Sequence, residues 1–265
     1  MHKSSSPLIR CLALGLACLP LLAMAQTPEQ RGLEIAIEAD RRDTGWQDQT
    51  ASLEMVLRNR HGQESRRSIR SKTLEVEGDG DLSMSIFDTP NDVKGTAFLS
   101  YTHALTPDEQ WLYLPALKRV KRISSNNKSG PFMGSEFAYE DLSSQEVQKY
   151  TYKYLRDESL DGRDCFVIER RPAYQHSGYT RLITWLDKEM YQPLKVEFYD
   201  RKDELLKTLT ATGHQQYEGQ FWRPAKMSVV NHITQKSTDL FWTDYRFKTG
   251  LTARDFDRNS LKRAR

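Results

Sequence analysis

Cysteine is scarce in this 265-residue chain, which contains only Cys11, Cys18 and Cys165. Two of the three fall within residues 1–25, so a lone thiol remains afterwards and a fold held together by internal disulfides is excluded. An excess of one charge is also missing. Lys and Arg number 39 against 36 Asp and Glu. Residues 1–25 hold two of the basic residues and no acid, which leaves 37 against 36. This balance excludes a basic nucleic-acid-binding domain.

Long apolar runs are missing after residue 25, so no membrane-spanning helix is predicted there. Residues 1–25 themselves have the pattern of a cleaved secretory signal. Lys3 and Arg10 precede an apolar run, and Ala23-Met24-Ala25 is a small-x-small cleavage site. A lipoprotein signal ending at Cys18 is the alternative, but the apolar run continues past that cysteine. We therefore predict a signal peptide over 1–25, a single domain over 26–265, and export to the periplasm.

Catalytic and metal-binding motifs are missing as well. The histidines after residue 25 form neither H-E-x-x-H nor a short-range metal pair, and the G-x-S-x-G and P-loop patterns do not occur. Ser135 follows Gly134, but the second glycine of a nucleophile turn is absent, which favours a structural serine. We therefore predict a binding protein without a metal or cofactor. An enzyme that uses His103, His176, His214 or His232 remains a third hypothesis.

Alternation of apolar and polar residues is what the chain has in abundance. It occurs at Leu53–Leu57, Leu82–Ile86, Leu194–Phe198 and Met227–Ile233, with turn residues between the segments. About ten antiparallel strands follow from this count, arranged as a barrel or sandwich. A helix is predicted to begin at Thr27-Pro28 and to end near Thr44-Gly45, with Leu33 and Ile37 on its buried face.

A hairpin is predicted around Asp161-Gly162. A two-residue turn there places Tyr154 opposite Glu169 and Leu155 opposite Ile168. In this register Cys165 is a small buried hydrophobic residue rather than a nucleophile.

The segment 111–142 departs from the alternating pattern. It combines four cations within five residues, Lys118, Arg119, Lys121 and Arg122, with seven large apolar residues: Trp111, Tyr113, Leu114, Phe132, Met133, Phe137 and Tyr139. One interpretation is a charged edge strand followed by a loop whose aromatics plug the sheet. The other is a cationic rim beside a mobile apolar lid, in which the aromatics bind acyl chains and the cations bind an acidic headgroup or a partner.

Two motifs in the chain resemble a known family. LPALKRVKRIS followed by FMGSEFAYEDL resembles the LolA-like outer-membrane lipoprotein-sorting proteins of the treponemal type, and ITWLDKEMYQPLKVEFYD resembles a pattern shared by LolA, LolB and RseB-like sensors. The resemblance implies a mainly β fold, a half-open antiparallel barrel of about eleven strands with helices across its mouth, around a cavity for acyl chains. It also implies a transporter of the resistance-nodulation-division (RND) superfamily as partner.

These observations predict a monomeric periplasmic carrier. It would bind the acyl chains of a lipid or lipoprotein and move this cargo between an inner-membrane transporter and the outer membrane. The alternative is an RseB-like regulatory module that senses amphiphiles and binds a membrane protein.

Overall fold

A single sheet of antiparallel strands organises the computed structural model, which describes residues 26–263. The predicted signal peptide lies outside the described residues. The elements are α1 (Pro28–Arg42), β1 (Asp48–Arg58), β2 (Glu64–Leu74), β3 (Leu82–Thr89), β4 (Ala97–Tyr101), β5 (Glu109–Leu114), β6 (Arg119–Ile123), β7 (Tyr150–Leu160), β8 (Arg163–Pro172), β9 (Arg181–Asp187), β10 (Pro193–Tyr199), β11 (Leu205–Thr212), β12 (Gln215–Tyr217), β13 (Phe221–Arg223), β14 (Lys226–Asn231) and β15 (Ser237–Phe247).

The strand order across the sheet is β6-β5-β4-β3-β2-β1-β15-β14-β11-β10-β9-β8-β7, and β12 and β13 form a separate hairpin. The first six strands therefore make one half of the sheet and the later strands make the other. The edge strands β6 and β7 do not pair with each other, so the sheet stays open. The predicted mainly β, half-open antiparallel barrel is confirmed, although its main sheet has thirteen strands rather than about eleven.

The connection between the two edge strands, residues 124–149, crosses the open side of the sheet. We call it the strap. It contains short 3-10 turns, among them Phe132–Gly134, Tyr139–Leu142 and Val147–Lys149. The helices expected across the mouth are thus one α-helix, α1, and this series of 3-10 turns. No helix within residues 26–263 is both long enough and apolar enough to span a bilayer.

The helix α1 begins as its sequence predicts. Thr27 Oγ1 accepts a hydrogen bond from the Gln30 N–H at 3.1 Å, and the Gln30 side chain accepts one from the Thr27 N–H. The predicted buried face is wrong, because Leu33 and Ile37 are 42% and 50% exposed. Gly32 has no side chain, so the backbone of α1 can approach the backbone of β7 closely at this position. The helix therefore packs on β7 through this buried glycine.

The hairpin of β7 and β8 turns at Asp161-Gly162 as predicted, but its register differs. A bulge at Leu155 pairs Tyr154 with Ile168 instead of Glu169. The extra residue exchanges the two faces of β7 beyond the bulge. Tyr150, Tyr152 and Tyr154 therefore share their face with Ile168. Cys165 packs on the opposite face and is fully buried, as the sequence predicts.

Candidate functional site

A cavity of about 860 Å³ lies between the inner face of the sheet, α1 and the strap. Strands from both halves of the sheet line it, and most of the side chains that line it from the sheet interior are apolar. They include Leu53, Met55, Ile69, Phe98, Ile168, Leu182, Leu186, Val196, Phe198, Leu209 and Leu240. Ala36 and Ala39 of α1 close one side. A concave apolar space of this size is typical of small-molecule sites, which span roughly 300–1,000 Å³.

The alternation along each strand decides which residues reach the cavity. On β10, Val196 and Phe198 belong to the apolar cluster around the cavity, whereas a register shift between Pro193 and Lys195 turns Leu194 to the outer face. On β3 the apolar residues point the other way. Met84 packs in the outer cluster, and Ser83 and Ser85 line the cavity. The more apolar face of a strand therefore does not by itself identify the cavity side.

Two of the seven predicted apolar site residues, Phe132 and Phe137 of the strap, line the cavity. Both are almost fully buried. The Phe132 ring packs edge-on against Phe98 of β4, with centroids 5.1 Å apart, and against Tyr139 at 5.6 Å. These contacts explain why the strap follows the inner face: its aromatics enter the core of the β1–β6 half.

Leu114, Met133 and Tyr139 are partly buried and pack against the same apolar cluster, but they do not line the cavity. Trp111 and Tyr113 lie on the other side. They belong to an outer cluster that includes Phe256 and is covered by the C-terminal 3-10 turns Ala253–Phe256 and Arg258–Arg263. Adjacent residues of a strand face opposite sides, so the Trp111–Leu114 run necessarily divides between the two clusters.

The four predicted cations also lie in different positions, one after a 3-10 turn and three on the two faces of β6. Lys118 ends a 3-10 turn, and Arg119, Lys121 and Arg122 are exposed on edge strand β6. Arg119 and Lys121 pair with Leu114 and Leu112 and share their face, whereas Arg122 pairs with Trp111. An Arg122 Nη2 lies 3.2 Å from Glu109 Oε1. The four cations therefore border an exposed sheet edge and do not line the cavity.

Buried acids hold the strap on the sheet. Glu140 accepts hydrogen bonds from the Gly178 N–H and the Ser177 hydroxyl, both at 2.8 Å, and from the Tyr174 hydroxyl at 3.1 Å. Asp141 accepts from the Tyr179 hydroxyl at 2.8 Å. Burial raises the pKa of Glu140, although these donors oppose the rise.

The end of the cavity near the C-terminus of α1 is acidic. Asp40, Asp43, Asp81 and Glu146 line it, together with Arg223. Arg223 Nη1 lies 2.6 Å from Asp43 Oδ1. Burial, reinforced by the nearby Glu146 charge, raises the pKa of Asp81 to about 7. We call this acidic end of the cavity the acidic mouth.

Arg170 is a cavity residue that the sequence analysis did not single out. It lies on β8 next to Ile168 on the inner face, and its Nε donates to Thr184 Oγ1 at 3.1 Å. The plain hairpin register pairs Tyr152 with Arg171 and turns Arg170 to the opposite face, and only the bulge at Leu155 places Arg170 opposite Tyr152. An arginine in a strand, here flanked by Glu169 and Arg171, normally indicates a solvent-exposed segment.

Within residues 26–263, no group of three or more His, Cys, Asp or Glu side chains is placed to hold a metal ion. The polar residues that line the cavity contribute hydroxyls, amides, several carboxylates and His214, together with Arg170, Arg223 and Lys72, whose ammonium group donates to the Asp255 carbonyl. This arrangement suits binding of a molecule that is mostly apolar, with a polar end.

Known proteins resemble the chain in both sequence and fold. A family model described as "uncharacterized protein" matches residues 79–263. A domain from Vibrio parahaemolyticus, described as an outer membrane lipoprotein-sorting protein domain, is 58% identical, with a TM-score of 0.87 over 88% of this chain and 99% of that one. A DUF1329 family protein from Desulfovibrio piger is 31% identical, with a TM-score of 0.84 over 89% and 99%.

A LolA superfamily protein from Nitrosomonas europaea shares the fold, with a TM-score of 0.68 at 19% identity over 86% of this chain and 98% of that one. Among curated proteins, no match to the sequence was found. The high identity to the Vibrio domain over nearly its full length, together with the shared open sheet, establishes that the chain belongs to the LolA-like family of outer membrane lipoprotein-sorting proteins.

Proposed function

We propose that the protein is a periplasmic carrier that shields the acyl chain of a lipid or lipoprotein in its cavity. It would receive this cargo from an inner-membrane transporter of the RND type and deliver it toward the outer membrane. The apolar cavity of about 860 Å³ is the observation that carries the proposal. Each buried CH₂ contributes about 0.8 kcal/mol, so ten of them give about 8 kcal/mol for shielding a chain from water.

The family supports this assignment, because the 58% identical Vibrio domain is described as a lipoprotein-sorting protein. Periplasmic location rests on the predicted signal peptide and on the family. The RND transporter rests on the motif resemblance. We propose binding rather than catalysis because the lining of the sheet interior is predominantly apolar.

Phe132 and Phe137 are the members of the predicted set that we propose to contact the cargo, since both line the cavity. We propose that the β6 cations bind an acidic surface of the partner, since they are exposed at a sheet edge away from the cavity. Converting Arg119 and Arg122 to Glu should then weaken partner binding and leave uptake of an amphiphile unchanged. Loss of amphiphile uptake in this variant would instead favour the headgroup role.

Native mass spectrometry of the protein purified from the periplasm, followed by lipid extraction, tests the carrier proposal. We expect a co-purifying amphiphile. Ser71 of β2 lines the cavity, and Ser68 of the same strand is exposed. Ser71→Phe should therefore reduce the bound fraction, whereas Ser68→Phe should not. A mass without bound lipid, and no uptake from added lipids, would contradict the proposal.

Transfer assays separate the carrier from the sensor. A carrier moves a labelled lipid between two populations of vesicles. An RseB-like sensor would instead change its affinity for a membrane protein when lipid is added, without accelerating transfer.

A further inference from the structure

Arg170 is a charged group in a predominantly apolar part of the cavity. It lies between Tyr152 of β7 and Leu182 of β9, with which it pairs directly across the sheet. These two neighbours are 8% and 2% exposed. Within residues 26–263, no carboxylate oxygen comes within 4.0 Å of the guanidinium, and its only side-chain hydrogen bond is the one from Nε to Thr184.

Other arginines nearby are satisfied within the protein. Arg223, which also lines the cavity, contacts Asp43 through Nη1 at 2.6 Å and donates from Nε to Gln49 Oε1 at 3.0 Å. Arg171 follows Arg170 in the chain, is exposed, and donates to Glu169 Oε1 at 2.7 Å. The Arg170 guanidinium lies over the Tyr150 ring, with Cζ 5.1 Å from its centroid, and within residues 26–263 neither of its terminal nitrogens has a hydrogen-bond partner.

A guanidinium keeps its charge at physiological pH and presents its N–H groups in a planar fork that fits a carboxylate or a phosphate. Partial withdrawal from water makes such an anion more favourable as its partner. Resting on the carrier function proposed above, we propose that Arg170 is the anion-binding group of the cavity. The cargo is then an amphiphile with one carboxylate or phosphate charge next to its apolar chain.

The acidic mouth restricts how much negative charge the cargo carries. Asp40, Asp43, Asp81 and Glu146 line the same cavity as Arg170. A second or third negative charge on the headgroup would be repelled by these carboxylates, because like charges in a partly desolvated site interact strongly. For a single anionic group, the attraction of the Arg170 guanidinium offsets that repulsion.

Calorimetric titration with three probes of equal chain length tests the inference: dodecanoate and lauroyl-lysophosphatidylglycerol, each below its micelle concentration, and dodecanol below its solubility limit. We expect the two anions to bind at least about tenfold more tightly than dodecanol, as charge-assisted hydrogen bonds would give. Arg170→Gln should remove this preference and leave dodecanol affinity unchanged. The stronger of the two anions identifies a fatty-acid-like or a phospholipid-like cargo.

Arg171→Gln is the matched control, since it removes a neighbouring charge from the outer face, and it should keep the preference. If Arg170→Gln does not fold, Arg170→Lys retains the charge without the planar fork and should show a reduced preference. Equal affinity of the unaltered protein for all three probes would overturn the role of Arg170 and leave the carrier function standing. Failure of all three to bind would overturn both.

Discussion

Lys207 of β11 and Asp141 of the strap form a buried ion pair, with Nζ 2.5 Å from Oδ2 and side-chain exposures of 3% and 7%. The same ammonium group donates to the Glu136 carbonyl at 2.9 Å. A single lysine near the middle of the sheet therefore holds two points of the strap. This ion pair fixes the strap to the later half of the sheet, and aromatic packing together with the buried ion pair of Lys149 and Asp108 fixes it to the earlier half.

Lys207→Ala should lower the free energy of unfolding by about 3–5 kcal/mol, because it leaves the Asp141 carboxylate buried without its cation. Urea denaturation measures this loss. The exposed pair of Arg41 and Glu38 on α1 provides the control, and Arg41→Ala should change the free energy of unfolding little, because water screens this pair. A similar small cost for Lys207→Ala would show that the pair does not anchor the strap.

Asp81 should make stability depend on pH. Its folded pKa of about 7 exceeds the ordinary value of 3.8, so the folded chain keeps a proton that the unfolded chain releases between these values. The free energy of unfolding should therefore fall as pH rises from about 4 to about 7. Asp81→Asn should flatten this slope and stabilise the protein at pH 8, by an upper bound of about 4 kcal/mol.

Thermal unfolding from pH 4 to pH 8 compares the two proteins. The Asn side chain keeps an oxygen that can accept from the Val76 N–H, as Asp81 does. An unchanged slope in Asp81→Asn would assign the pH dependence to other groups.

Gly32→Ala should destabilise the protein, against the usual rule for helices. Alanine normally stabilises an exposed helix position by about 1 kcal/mol relative to glycine. Here a Cβ would lie 2.7 Å from the Tyr154 backbone nitrogen and would push α1 away from β7. We expect a cost of about 1–3 kcal/mol in chemical denaturation. Ile37→Ala, on the exposed side of α1, should cost less; a stabilising Gly32→Ala would refute the close packing.

Phe256→Ala should loosen the C-terminal turns from the outer face. Phe256 is fully buried against the cluster that contains Trp111, and truncation of such a side chain costs about 3–5 kcal/mol. The tryptophan fluorescence of the folded variant should shift to longer wavelength as Trp111 becomes exposed. Leu105→Ala, at an 85% exposed position, should change neither quantity.

Local patterns in the sequence predict the elements well. The capping residues Thr27 and Pro28 give the start of α1, and alternation gives the strands, because both depend on neighbours close in the chain. Which face of a strand points toward the cavity depends on contacts with residues that are distant in the sequence. The bulge at Leu155 reverses one hairpin, and the C-terminal turns cover Met84 on what would otherwise be a solvent face of β3.

Only part of the candidate site could be predicted from the sequence, again because the inward face of each strand depends on distant partners. Phe132 and Phe137 reach the cavity because the whole strap follows the inner face. Trp111 lies outside because strand alternation divides its segment between two faces. The residues adjacent to Arg170 in the sequence do not predict that it lines the cavity. Its position on the inner face follows only from the pairing of β8 with β7.

The sheet joins its two halves at its midline through its first and last strands, β1 and β15, which pair along almost their whole length. Contacts between residues so distant in sequence form slowly, because a long loop must close before they contribute. Until β15 pairs with β1, each half exposes an unpaired strand to other chains. The cavity therefore exists only once the two halves have joined, and folding rate and aggregation should depend on this one pairing more than on any hairpin.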